Sequence, residues 1–177
     1  MCDDTLKIVF SLIENSATPL VLDADALNCV AKQPEILLRK KAPIIITPHP
    51  GEMSRLTGLA TPLVNAERER VALDFAQKYG VVTVLKGAGT VIASPNGKVL
   101  VNPTGNSGMA TGGSGDVLAG MTASILAQGA SAFSSAAAAV YLHGLAGDIA
   151  AEKYGKISML PTDLINCIPL AYKRCDF

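Results

Sequence analysis

The chain has 177 residues, 49% of them hydrophobic, and its 15 basic and 15 acidic side chains balance to a formal charge of zero, which suits one domain with a sizeable core. No basic stripe occurs, Trp is absent and aromatic residues make up 5%, so the chain lacks the charge footprint and stacking platforms of a nucleic-acid binder. No apolar run approaches a membrane span, and the acidic opening MCDDTLKIVF lacks the basic n-region of a secretory signal.

Leu6, Val9, Phe10, Leu12 and Ile13 recur at helical spacing and predict a helix over 5–15. PLVLDA (19–24) is a short, continuous apolar run and reads as a buried strand, with DADALN (23–28) leading from its end into a short helix. APIII (42–46) reads as a second buried strand that stops at the Pro-bracketed TPHPGE (47–52). Thr61 as N-cap with Pro62 at the first helical position predicts a helix to Tyr79, closed by Gly80. VVTVLK (81–86) is a third strand, and TVIAS, PNG and KVLVN (90–102) read as a hairpin with a tight turn. The glycine-rich TGNSGMATGGSGDVLAG (104–120) follows, then helices over 115–128 and 131–153. A last helix runs from near Pro161 toward Arg174, with Pro169 expected to kink or break it.

Strands that alternate with helices and are apolar throughout predict an α/β fold, a mostly parallel sheet covered by helices on both faces. Ligands in such folds bind beyond the C-terminal strand ends, where DADALN, TPHPGE and KGAGT all fall. No repeat or low-complexity linker interrupts residues 1–177. Cys2, Cys29, Cys167 and Cys175 form no C-x-x-C pair and have no His at metal-ligand spacing. They read as reduced thiols of a cytosolic protein.

The glycines at 112, 113 and 115 are expected to take positive φ and bring backbone amides close to a ligand. The helix that follows adds partial positive charge at its N-terminus, a combination suited to phosphate and to charge that grows in phosphoryl transfer. Asp116 at the first turn would repel a phosphate placed against it. It makes sense as a general base on the attacking hydroxyl, a role worth about 10²–10⁴ in rate. The same glycines also suit helix capping and close packing. No G-K-[ST] follows, so this is not a Walker A loop. Lys86 ends a strand and Gly87 and Gly89 bracket a tight passage, leaving room for a nucleotide's base or ribose with Lys86 near a phosphate; KGAG equally reads as an ordinary turn with a surface lysine. His49, held extended between two prolines, could contact substrate, and Glu52 could bind Mg²⁺ through water. Alternatively His49 satisfies loop backbone groups and Glu52 caps the next helix. Asp23, Asp25 and Asn28 could orient Mg²⁺ or the phosphate loop, with a capping role open for Asp25. His143 reads as a satisfied packing residue.

Taken together, DADALN, TPHPGE-x-x-RL, VLKGAGT and TGNSGMATGGSGDVLAG, in this order, resemble the NAD(P)H-hydrate dehydratases, a branch of the ribokinase-like superfamily. The resemblance covers essentially the whole chain. It implies a ribokinase-like domain and a repair enzyme that phosphorylates the ring hydroxyl of hydrated NADH or NADPH with ADP or ATP. Loss of phosphate then restores the cofactor. Carried over, His49 contacts the hydrated nucleotide, and Lys86, Gly87, Ala88, Gly89 and Thr90 line the adenine nucleotide. Gly115 binds it too, within an anion hole of Gly113, Ser114 and Gly115 reaching Asp116, the base and a substrate contact. Glu52 resembles the magnesium-associated acid of superfamily kinases, although His49 stands where they carry asparagine. The family's domain normally begins upstream with a strand, glycine-rich substrate contacts and a GPGLG-like turn, none present here. The expectation is therefore a fold truncated at its N-terminal side, the C-terminal two-thirds of the usual domain, with an exposed edge. The resemblance further implies a cytoplasmic enzyme, a homo-oligomer and often a tetramer, with a small-molecule partner and no nucleic acid or membrane. A small-molecule kinase of the same superfamily, acting on a hydroxymethylpyrimidine or sugar, and a non-catalytic nucleotide-binding module remain the other readings.

Overall fold

The computed structural model describes residues 3–176. Helix α1 (Asp3–Asn15) leads into strand β1 (Leu20–Leu22), a short α2 (Asp25–Val30) and a 3-10 helix (Pro34–Arg39). Strand β2 (Ile44–Ile46) is followed by α3 (Pro50–Thr57), α4 (Thr61–Ala66), α5 (Arg68–Tyr79) and β3 (Val82–Leu85). Strands β4 (Val91–Ala93) and β5 (Val99–Val101) form the hairpin, and α6 (Ser114–Ala127), α7 (Ala132–Tyr154) and α8 (Pro161–Arg174) close the chain.

The five strands form one sheet in the order β1-β2-β3-β4-β5. β1, β2 and β3 pair in parallel, β4 pairs antiparallel to β3, and β5 antiparallel to β4. Four strands therefore point one way and β4 alone is reversed. Alternation along β2 divides the core. Ile44 and Ile46 pack with Leu27, Met53, Val71 and Phe75 under α1–α5, whereas Ile45 packs with Leu118, Val140, Ala146 and Leu164 under α6–α8. Both faces of β2 and β3 are thus covered, which is why these strands are apolar at every position but Thr83, buried in β3. β1 and β5 are the sheet edges among the described residues.

The helix expected over 61–79 is two helices, because Glu67 leaves helical geometry at φ −126°, ψ 42°. With that bend, Arg68 lies beside the sheet and donates to the Leu85 carbonyl at 2.8 Å. Thr61 is the first helical residue rather than the cap; Ala60 precedes it with no side-chain capping bond. Gly80 closes α5 in the left-handed region as expected. Pro169 lies inside α8 without ending it. Its missing N–H faces the exposed Ile165 turn, where water can replace the lost partner. The helical turn of 34–39 gave no periodic signal. Cys167 is a buried free thiol and Cys175 is half-buried, Cys29 is buried, and Cys2 lies outside the described residues. Among those residues, no helix is long and apolar enough to cross a membrane.

Candidate active site

Three loops leave the C-terminal ends of β1, β2 and β3 side by side, and their charged groups meet. The Lys86 amide donates to the Pro48 carbonyl at 2.8 Å, tying the third loop to the second. Lys86 Nζ lies 2.7 Å from Asp23 Oδ1 and 3.9 Å from Glu52 Oε2. All three side chains are largely withdrawn from water, at 19%, 13% and 6% exposure. Two carboxylates share one ammonium, which leaves a local surplus of negative charge. Next to this pair Ala24 holds φ 49°, ψ −119°, a conformation that costs a non-glycine residue about 1–3 kcal/mol and turns the chain sharply after Asp23.

His49 and Glu52 cap α3 reciprocally. His49 Nδ1 accepts from the amides of Gly51 (3.0 Å) and Glu52 (3.3 Å), while the His49 amide donates to Glu52 Oε2 at 2.8 Å. Here His replaces the usual Ser or Thr of a capping box. Two N–H donors into Nδ1 require the proton on Nε2, which lies 3.5 Å from Glu52 Oε1. The capping alternative therefore holds for both residues, with His49 Nε2–H near Glu52 Oε1 on a half-exposed side chain.

The head of α6 is the other wall. Gly113 precedes the helix at φ 96°, which an L side chain rarely adopts, and a Cβ there would lie 3.2 Å from Pro161 Cγ. Gly112 and Gly115 do not share the positive φ expected of them; Gly105, upstream, does. The Ser114 amide already donates to the Thr111 carbonyl at 3.3 Å, whereas the amides of Gly115 and Asp116 have no protein partner among the described residues. A Cβ on Gly115 would sit 3.5 Å from Lys86 Nζ and 3.7 Å from Asp23 Oδ2. Gly115 thus lies beside the Lys86–Asp23 pair. The Asp116 side chain is exposed, and no hydrogen bond or ion pair occupies its carboxylate among the described residues.

Helix α7 clamps this glycine-rich segment at both ends. Asp148 accepts from the Gly105 amide and from Asn106 Nδ2, each at 2.9 Å. Thr104 Oγ1 donates to the Tyr141 carbonyl. Gly144 and Gly147 leave α7 without side chains where Thr104 and Met109 press in. At the far end, His143 Nε2 lies 3.0 Å from the Ser114 carbonyl oxygen and 3.4 Å from its hydroxyl. Burial holds the imidazole down at about 4 against an ordinary 6.5; the bond to Ser114 opposes this and the Lys86 charge reinforces it.

The structure thus brings Asp23, His49, Glu52, Lys86 and Gly115 together. Gly87 to Thr90 form an exposed turn beyond Lys86, with Thr90 Oγ1 donating to the Gly87 carbonyl. Beneath it the Arg68 guanidinium lies about where a Gly87 side chain would be. Asp25 and Asn28 do not join the site: Asn28 Nδ2 donates to Asp25 Oδ1 and Asn28 Oδ1 accepts from Arg55 Nε. Nor does Asp25 cap α2, whose N-cap has no side-chain bond. Sequence reasoning missed Asp148 and Arg68 altogether. The run HGLAGD (143–148) carried a signal, since two glycines in a helix that costs about 1 kcal/mol for each mark a close approach. Two surface hollows, one beside Ile149, Leu170 and Arg174 and one beside Lys40 to Ile44, lie away from the motif loops.

The sequence model of NAD(P)H-hydrate dehydratase matches residues 2–170. The chain is 43% identical over 172 residues to the bifunctional NAD(P)H-hydrate repair enzyme of Moorella thermoacetica, covering 97% of this chain and 32% of that protein. It is similar to the crystal structure of the ADP/ATP-dependent NAD(P)H-hydrate dehydratase from Bacillus subtilis co-crystallized with ATP/Mg²⁺, at 37% identity and TM-score 0.80, over 88% of this chain and 55% of that one. It also resembles a ribokinase-like superfamily protein from Enterococcus faecalis, at 30% identity and TM-score 0.83, covering 98% of this chain and 60% of that one. The chain therefore spans about a third of the bifunctional relative and somewhat more than half of the two solved chains.

Proposed function

The chain belongs to the NAD(P)H-hydrate dehydratase family, and from that premise we propose that it dehydrates hydrated NADH or NADPH at the expense of ADP, with ATP as the other candidate donor. The observation that carries this reading is the head of α6, where the Gly115 and Asp116 amides are unpaired among the described residues, Gly115 lies beside Lys86 and the Asp116 carboxylate is uncommitted. The ring hydroxyl of the hydrate attacks the donor's terminal phosphorus while Asp116 takes its proton. The bond to the leaving nucleotide oxygen breaks, and AMP (or ADP, from ATP) departs. The amides of Gly115 and Asp116, with Gly113 before them, face the charge that grows on the transferring group, where fixed donors are most effective. The resulting phosphate ester is a good leaving group. Its C–O bond breaks as the ring nitrogen lone pair moves in, and loss of the neighbouring carbon's proton restores the ring double bond.

Lys86 is placed to meet a phosphate, with Gly87 to Thr90 lining the nucleotide and His49 Nε2–H reaching the hydrated nucleotide. Asp23 and Glu52 fit Mg²⁺ held through water. They are hard oxygen donors carrying surplus negative charge, and no larger cluster of ligating side chains lies among the described residues. The ion, when bound, would neutralise donor phosphate charge. The two cores share one sheet, which supports reading 1–177 as one unit; work in the cytoplasm as a homo-oligomer belongs to the same proposal and rests on the family alone.

The test is to supply hydrated NADH, ADP and Mg²⁺ and follow the return of reduced-nicotinamide absorbance. Recovery is expected, and Asp116→Asn should keep ADP binding while lowering turnover at least ~10²-fold. Phosphorylation of a sugar or pyrimidine without recovery would make the chain a small-molecule kinase. ADP binding with neither reaction, unaltered by Asp116→Asn, would make it a binding module.

A further inference from the structure

We propose that His143 is a positioning residue for phosphoryl transfer, setting the direction of the Gly115 amide through the Ser114 carbonyl. The inference rests on the reading of the α6 head as the phosphoryl-binding site. Its geometry is that of one peptide unit. A carbonyl oxygen only accepts, so the 3.0 Å contact from His143 Nε2 to Ser114 O requires the proton on Nε2. The Ser114–Gly115 peptide is planar, with its C=O and N–H antiparallel. Holding the oxygen from inside the protein therefore aims the N–H at the phosphoryl-binding site on the other side. Donation into the carbonyl also polarises the amide and strengthens its N–H as a donor.

The Ser114–Gly115 peptide lies in the first turn of α6, where only its carbonyl side has an intrahelical partner, and His143 adds a second hold on that carbonyl from α7. The Gly115 amide has no protein partner among the described residues. His143 is itself well held, at 8% exposure in the middle of α7, the helix that also fixes Gly105 and Asn106 through Asp148. Its depressed basicity keeps the ring neutral at ordinary pH, so it holds the carbonyl without bringing a second cation against Lys86.

Two variants separate orientation from packing. His143→Leu keeps apolar bulk without a donor; His143→Gln restores an N–H near the position of Nε2. The readouts are kcat, ADP affinity by calorimetry, and the Gly115 amide proton resonance. We expect the Leu variant to be folded by circular dichroism and to lose about 10- to 100-fold in kcat, the scale seen when a partner orienting a ligand-binding group is removed. Its ADP affinity should hold within a few fold, because the aimed amide matters most as charge develops. The Gly115 resonance should move in the Leu variant and return, with most of kcat, in the Gln variant. A folded Leu variant with unchanged kcat and an unmoved Gly115 resonance overturns the inference. If His143→Leu does not fold, His143→Gln is compared with the shorter His143→Asn: equal kcat and equal Gly115 shifts overturn it, and loss in Asn alone supports it. If the unaltered chain shows no turnover, the dehydratase reading fails separately. The Gly115 resonance then decides alone, supporting the inference if displaced in Leu and restored in Gln, and refuting it if unmoved.

Discussion

His143 couples the stability of the glycine-rich segment to acid. Its ordinary value is 6.5, and in the fold it titrates near 4. Between those values the unfolded chain binds the extra proton and the native chain does not. Its contribution is therefore present in full above pH 6.5 and is lost as pH falls toward 4, an effect of roughly 3 kcal/mol. Urea unfolding at pH 7, 5.5 and 4 should show this loss, and His143→Gln should reduce the slope. Parallel pH profiles for the two proteins would contradict it. The groups facing the ring are the Ser114 carbonyl and hydroxyl and, at longer range, Lys86. That partnership was hidden in the sequence. A histidine within an Ala/Leu-rich helix looks like packing, and nothing in residues 141–145 indicates that the loop 29 residues upstream lies against it. His49, by contrast, was legible in kind, since two flanking prolines demanded a fixed loop. Its double duty, Nδ1 capping α3 and Nε2–H near Glu52 Oε1, needed coordinates.

At the scale of one element, the head of α6 contains two glycines with opposite requirements. Gly113 combines φ 96° with a Pro161 contact, so Gly113→Ala should cost about 1–3 kcal/mol. Gly115 has ordinary helical φ and open room for a methyl at van der Waals distance. Gly115→Ala should leave stability unchanged or up to about 1 kcal/mol higher. It should nevertheless weaken ADP binding, because the methyl would stand beside Lys86. Chemical denaturation paired with calorimetry checks both; a Gly115→Ala chain that unfolds more easily than Gly113→Ala would reverse the assignment. The three C-terminal helices were legible because long apolar runs with polar starts mark their own ends. The bend at Glu67 was not, because Val64 and Val71 remain in helical register across it. Only the Arg68–Leu85 contact shows what the bend accomplishes. Pro169, expected to kink or break the last helix, does not end α8, and the residue four positions earlier, Ile165, is exposed, so water can serve in place of the missing donor.

For the molecule as a whole, the sheet order and the pairing of apolar strands with helices on both faces place three loop motifs at one end of the sheet, beyond the C-terminal ends of β1, β2 and β3. That much was legible, because all-apolar strands admit little else. The reversal of β4 follows from the short KGAGT connection after β3, and the PNG turn reverses the chain again into β5. What residue patterns do not carry is long-range docking. The clamp of α7 on residues 102–109, and the contact of Gly115 with Lys86 and Asp23, arise from tertiary packing between segments far apart in the chain. On the proposed function, this docking builds a phosphoryl-binding shelf from the Gly115 and Asp116 amides and Lys86. A crystal structure of the chain with ADP and Mg²⁺ should show the terminal phosphate on the Gly115 and Asp116 amides, within reach of Lys86, with the Asp116 carboxylate open toward the substrate side. ADP seated elsewhere, for example in the hollow beside Lys40 to Ile44, with the α6 head unoccupied, would contradict it.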